Sequence, residues 1–310
     1  MIITCAASVI PSGRAWEGQL HVETDEQARA LIPLATKCKT EDCLSLVQLH
    51  HGGVASSAAL TGSTPLSASS AFVEGIHKES PRAASHEEIT EFISAFASAA
   101  ARVVNAGIDG VEIHGANGYL VTQFLSTFFN TRNDEWGGSR EKRAKLLFEI
   151  VRACRQSIGA NKILGVRLSP TSRPSYPSLD AMDVLWTAQE LCNLGVDYIH
   201  LSLWNAFEVP DEFSSTVTEV YRRLLPKSVA LLGAGGLCTR TDAERYLALG
   251  ADFVALGKTA IGNPDWPLRI QDPASIPDAF PMTAEKLASV GVSPAFVSYL
   301  REFKSAQFVK

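Results

Sequence analysis

Three times the chain repeats the same order of residues: a helical stretch, a glycine stop, an apolar residue, an aspartate, then a short apolar strand. The repeats are Gly107-Ile108-Asp109 into Val111–Ile113, Gly195-Val196-Asp197 into Tyr198–Leu201, and Gly250-Ala251-Asp252 into Phe253–Leu256. Each glycine suits the left-handed position that ends a helix. Each strand is short and mostly apolar, as expected of a strand covered on both faces. Further strands read at Ile2–Ala7, Leu44–Leu49, Ile163–Leu168 and Val229–Leu232, each followed by helical sequence. Strict alternation of strand and helix demands a parallel sheet, and seven such strands point to a (β/α)8 TIM-type barrel that is one unit short.

The helices between the strands carry their own start signals. Ser85 and Glu88 form a capping box ahead of Ile89, Phe92, Ile93, Phe96 and Val103 at helical spacing. Asp180 precedes a second apolar stripe, and Thr241 with Glu244 opens a third helix that stops at Gly250. The barrel is expected over residues 1–270, with a C-terminal helical extension over residues 271–310. In that tail Ser293-Pro294 starts a helix whose apolar face is expected to hold Phe296, Leu300 and Phe303.

Composition narrows the partners. A net charge of −5 over 310 residues argues against nucleic acid or an anionic membrane. No apolar run approaches the roughly 20 residues that span a bilayer, and the start, Met1-Ile2-Ile3-Thr4-Cys5-Ala6, lacks the basic residues of a signal peptide. The six cysteines are scattered without metal-site spacing, so a reducing cytoplasm is the simplest setting. No metal site is expected, and a homo-oligomer stays open.

Chemistry concentrates where strands end. Val111-Glu112-Ile113 runs into His114-Gly115-Ala116-Asn117-Gly118-Tyr119, three neutral hydrogen-bonding side chains on one glycine-broken turn. Such a turn can hold and protonate a carbonyl-like group; turn capping is the structural alternative. Gln48 and Arg167 interrupt apolar strands. A buried guanidinium must face either an electron-rich ligand or a salt bridge inside the barrel. The run Gly233-Ala234-Gly235-Gly236 after one strand and Gly257-Lys258 after the next suit a phosphate at the last two loops of a barrel. A tight turn beside a solvated lysine is the alternative there. His50 and His51 read as one supporting and one packing residue.

Taken together, these segments resemble the old yellow enzyme family of flavin-dependent ene-reductases from Met1 to about Trp266. The specific pieces are Val47-Gln48-Leu49-His50-His51-Gly52-Gly53, Gly110 through Tyr119, Gln123-Phe124-Leu125-Ser126, Asn130 through Ser139, Gly165-Val166-Arg167, Gly235-Gly236 and Gly257-Lys258. The resemblance implies FMN at the barrel mouth, its phosphate on Gly235, Gly236, Gly257 and Lys258, and its pyrimidine edge on Gln48 and Arg167. It implies that His114 and Asn117 bind the oxygen of an activated alkene and that Tyr119 supplies a proton, with NAD(P)H as reductant. Val54 and Lys258 stand where many relatives carry Arg, and Lys is a point charge rather than a fork. Relatives also begin with an extra strand and helix before the segment matching Ile2–Ala6, which leaves an unproductive, flavin-free barrel as the alternative. The clustered cysteines of iron–sulfur relatives are missing, so no such cluster is expected.

Overall fold

The computed structural model describes residues 1–309, except for the side chains of 303–307. Its strands are β1 (Ile2–Ser8), β2 (Leu20–His21), β3 (Ser45–His50), β4 (Leu66–Ser67), β5 (Arg82–Ala83), β6 (Gly110–Gly115), β7 (Ile163–Leu168), β8 (Tyr198–Ser202), β9 (Ala230–Ala234) and β10 (Phe253–Val254). Eight of them form one parallel sheet in the order β10-β9-β8-β7-β6-β3-β1-β2, while β4 and β5 pair separately. All seven expected strands are present. The last is shorter than expected, ending at Val254 rather than Leu256. The short strand β2 was not anticipated; it runs parallel to the C-terminal end of β1, through Ala7↔Leu20 and Ser8↔His21.

Among the described residues the sheet curls as a barrel without closing, because β10 at one edge pairs with neither β2 nor β1 at the other. Exposure marks the seam. Ile2 is 47% exposed and Phe253 is 56% exposed, although both lie on strands of the main sheet. Elsewhere the sheet is sealed, and all six residues of β3 and of β6 are buried.

The repeated aspartate has one structural task. Asp109 Oδ2 accepts the Ser45 N–H at 2.8 Å, Asp197 Oδ2 the Leu164 N–H at 2.7 Å, and Asp252 Oδ2 the Leu231 N–H at 2.8 Å. Each carboxylate thus satisfies a backbone donor at the foot of the neighbouring strand, which would otherwise be an orphan at the sheet's end. The preceding glycines, at φ +93, +78 and +100, make the sharp reversal that delivers each aspartate there.

Helix His86–Asn105 is capped as the sequence predicts, with Glu88 N–H donating to Ser85 Oγ and Ser85 N–H to Glu88 Oε2. Its stripe of Ile89, Phe92, Phe96 and Val103 is fully buried. Two helix details differ from expectation. The helix before β10 is capped by Thr239 with Asp242, two residues earlier than Thr241 and Glu244, because that carboxylate accepts the Cys238 and Thr239 N–H groups. In the tail, helix Pro294–Phe308 buries Val297 and Leu300, whereas Phe296 stays 38% exposed and stacks on Tyr299. Phe303 lies outside the described residues. No helix among the described residues is long and apolar enough to cross a membrane.

Candidate active site

The strand register brings the chemistry-bearing residues into adjacent rows. Gln48 pairs with Glu112, which pairs with Gly165, which pairs with Tyr198; one row is thus Gln48, Glu112 and Tyr198. Two residues further along, His114 pairs with Arg167 and Arg167 with His200. Gly165 leaves the space that Tyr198 fills, since a Cβ there would lie 1.9 Å from the phenol ring.

Glu112 is fully buried and organises the first row. Its carboxylate accepts from Gln48 Nε2 at 2.6 Å and from Tyr198 OH at 3.0 Å, and it pairs with His200 Nδ1 at 2.8 Å. Burial alone would raise this carboxyl, but His200, the Arg167 guanidinium and the Gln48 amide hold it below its ordinary value. Gln48 spends one N–H on Glu112, and among the described residues its amide oxygen and second N–H have no partner. Among the described residues, Arg167 makes no ion pair within 4.0 Å; one of its terminal nitrogens donates to Ser202 Oγ at 3.1 Å, and its Nε is buried without a partner. Burial pulls the guanidinium down from its ordinary value while the Glu112 charge pulls it back. A buried donor without a partner calls for an acceptor that the chain itself does not supply.

The turn after β6 carries the three other candidates. His114 is buried, and its Nδ1 accepts the Ala116 N–H at 3.4 Å, so the ring proton sits on Nε2 and is available to a ligand oxygen. Burial first, then the neighbouring His50, Arg167 and His200, hold the imidazole well below its ordinary value. Asn117 takes up a left-handed backbone at φ +61, a conformation its side chain tolerates better than most. Its N–H donates to Ser169 Oγ at 2.8 Å and its Oδ1 accepts from Ser202 Oγ at 3.0 Å. Tyr119 stands at the N-cap of helix Leu120–Leu125, and burial pushes its phenol up to about 12. It is therefore a protonated donor throughout the working range.

His50 joins this group. Its ring lies 4.3 Å from that of Tyr119 and 5.3 Å from that of His114, with Trp16 at 5.5 Å. Both His50 nitrogens are buried without partners, and burial with the neighbouring His51 takes the ring down to about 3. His51 is the packing residue, with its ring 4.6 Å from Phe92 and its Nδ1 accepting the Gly53 N–H.

The glycine candidates form a separate wall nearby. Gly235, Gly236, Gly257 and Lys258 line a cavity of about 450 Å³, together with Leu203, Leu237 and Thr259. A Cβ on Gly235 would lie 2.8 Å from both Ala206 N and Leu203 Cβ. Lys258 forms no ion pair among the described residues; its ammonium lies 4.9 Å from the Phe308 ring and 5.3 Å from the Phe280 ring. The two clusters meet where Ser202 pairs with Ala234 across β8 and β9. A glycine cradle with a lysine, next to an orphaned guanidinium and a half-used amide, fits the phosphate and the heterocycle of FMN.

Five of the nine candidate residues thus stand on β3, β6, β7 and the turn after β6, and the other four line the cavity beside β9 and β10. Glu112, Tyr198, His200, Ser202 and Trp16 were not singled out from the sequence. Glu112 and His200 did carry a signal, since each interrupts an apolar strand as Gln48 and Arg167 do.

Comparison with known proteins gives a consistent result. The model of the NADH:flavin oxidoreductase / NADH oxidase family matches residues 1–275. The chain is 35% identical to the NADH:acrylate oxidoreductase of Vibrio harveyi, over 86% of this chain and 27% of that protein. It is 31% identical to the probable NADH-dependent flavin oxidoreductase YqiG of Bacillus subtilis, over 88% of this chain and 74% of that one. Among solved structures, morphinone reductase in complex with tetrahydroNAD superposes with a TM-score of 0.80 at 27% identity, covering 92% of this chain and 80% of that one. The old yellow enzyme homologue of Zymomonas mobilis gives 0.79 at 26% identity, covering 92% and 82%. The chain therefore spans about a quarter of the acrylate oxidoreductase and about three quarters to four fifths of the other three.

Proposed function

We infer that this chain, which belongs to the NADH:flavin oxidoreductase / NADH oxidase family, reduces activated C=C bonds of enones, enals, nitroalkenes or quinones. The family binds FMN and uses NAD(P)H. FMN bound there would supply hydride-transfer chemistry, with NAD(P)H as the reductant. The chain's own residues do the rest. Gly235, Gly236, Gly257 and Lys258 hold the phosphate, the glycines by close backbone approach and the lysine by charge. Gln48 and Arg167 hold the pyrimidine edge, and Arg167 balances negative charge there.

His114 Nε2 and the Asn117 amide bind the carbonyl or nitro oxygen of the substrate and draw electron density from the alkene. Tyr119 holds the proton for the α-carbon. The observation that carries this reading is the pairing of a neutral, Nε2-protonated His114 with a still-protonated Tyr119, ring centroids 5.1 Å apart. Two donors there serve two atoms of one polarised substrate.

The open seam between β10 and β1 favours one other reading, a barrel that no longer holds flavin productively. An absorbance scan over the flavin bands after FMN loading and desalting separates the two. Retained flavin that is bleached by NADH and restored by 2-cyclohexenone supports the reductase. A folded protein that retains no flavin refutes it.

A further inference from the structure

Ser202 sits between two residues of the site and bonds both. It accepts from an Arg167 terminal nitrogen at 3.1 Å and donates to Asn117 Oδ1 at 3.0 Å. Chemistry fixes the first link of this chain and permits the second. A guanidinium has donors and no acceptor, so Ser202 Oγ must accept from Arg167, and its own hydrogen is then free to point at Asn117. An amide that accepts through Oδ1 on one side turns its NH2 to the other. The backbone does not fix this choice; it places Asn117 on the turn but leaves χ2 free, and the flipped amide has the same shape.

We propose that Ser202 is a positioning residue that locks the Asn117 amide with its N–H groups toward the substrate oxygen, through a relay running Arg167 → Ser202 → Asn117. The inference rests on the reading of Asn117 as a ligand of that oxygen. Without the hydroxyl, the amide can present its oxygen to the substrate oxygen, which repels rather than binds. The relay also joins the residue that faces the cofactor ring to the residue that faces the substrate, so the charge on Arg167 strengthens the Ser202 hydrogen bond to Asn117.

The test is a cycle of Ser202→Ala, Asn117→Ala and the double variant, with Ser202→Thr and Ser202→Val as a hydroxyl-keeping and a hydroxyl-lacking pair. The readouts are the dissociation constant of cyclohexanone, a saturated ketone that needs no turnover, followed by tryptophan fluorescence, and kcat and KM for 2-cyclohexenone. Melting temperature controls for folding. We expect Ser202→Ala to weaken cyclohexanone by roughly five- to tenfold, the worth of one oriented hydrogen bond. Ser202→Thr is expected to restore most of this loss and Ser202→Val none.

In the Asn117→Ala background, Ser202→Ala should cost nothing further, because a residue acting through Asn117 has nothing left to act on. Equal losses in both backgrounds, or a Ser202→Thr variant as weak as Ser202→Val, overturn the relay. A wild-type protein that does not bind cyclohexanone also overturns it. A protein that shows the expected cycle in cyclohexanone binding yet reduces no 2-cyclohexenone refutes the reductase reading and leaves the relay standing.

Discussion

Replacing Glu112 by Gln changes one buried atom type and exposes how much the first row of the site depends on charge. The wild-type carboxylate is fully buried and meets three polar groups, Gln48 Nε2, Tyr198 OH and His200 Nδ1, at 2.6, 3.0 and 2.8 Å. A glutamine offers one acceptor oxygen and an NH2, so at least one of these donors faces another donor or loses its partner. Leaving one buried donor without its acceptor costs about 1–3 kcal/mol. Arg167 loses its nearest negative charge as well. At roughly 2 °C per kcal/mol for a chain of this size, the melting temperature of Glu112→Gln is expected to fall by about 2–6 °C.

The acid dependence should carry the same signature. The folded carboxyl lies below its ordinary value of 4.5, so its contribution is fully present above that value and is lost as the pH falls through the lower, folded one. The gap between wild type and Glu112→Gln should therefore narrow below pH 4.5 and stay constant at neutral pH. Thermal melts by circular dichroism from pH 3.5 to pH 8 would measure both. A variant that melts within about 1 °C of wild type at pH 7 refutes the claim that the carboxylate organises the row.

Other residues give independent readouts. Tyr119→Phe should lower 2-cyclohexenone turnover by about a hundredfold or more, the contribution of a positioned proton donor; a loss of only about twofold would mean that another group supplies the proton. Because burial raises the phenol to about 12, the Tyr119-dependent step should show no loss from its deprotonation up to pH 10. His51, lowered by burial to about 3, is neutral in the fold and gains a proton on unfolding below its ordinary 6.5. Its stability contribution is thus lost as pH falls from 6.5 toward 3, and His51→Gln should flatten urea-derived stability by up to about 1.4 kcal/mol per pH unit there; an unchanged slope would refute this. Gly235→Ala places a methyl 2.8 Å from the Ala206 nitrogen and Leu203 Cβ, and should weaken FMN at least about tenfold in a flavin-fluorescence titration. Unaltered FMN affinity would remove Gly235 from the phosphate wall.

The fold was legible because its information is local. The Gly-apolar-Asp repeat marks a helix stop and a strand start within a few residues, and each strand reads as a buried run without any knowledge of its neighbours. What the repeat hides is its own reason: the aspartates bond the foot of a neighbouring strand, so their partners, Ser45, Leu164 and Leu231, lie 64, 33 and 21 residues away. Strand β2 was illegible because a two-residue pairing has no period to detect. The shift of one helix cap from Thr241 to Thr239 follows from the same limit. Both threonines are followed three residues later by an acid, and only the path of the chain leaving β9 decides between Asp242 and Glu244.

The site was legible where a residue type is itself anomalous, and illegible where its meaning is relational. A glutamine and an arginine inside apolar strands demand partners, so both were visible; the partners were not, because they lie on other strands. Arg167 illustrates the difference. From sequence, a salt bridge and a ligand contact were both open, and the fold supplies neither in simple form: Glu112 pairs with His200 instead, leaving Arg167 one hydroxyl and one orphaned nitrogen. That division has a physical consequence. A guanidinium neutralised by a direct carboxylate would have little field left to offer a ligand, whereas Arg167, among the described residues, has no carboxylate within 4.0 Å. Ser202 carries part of that polarity across to Asn117. A small hydroxyl at the end of an ordinary strand therefore becomes informative only once the arginine beside it is seen to have no acceptor of its own.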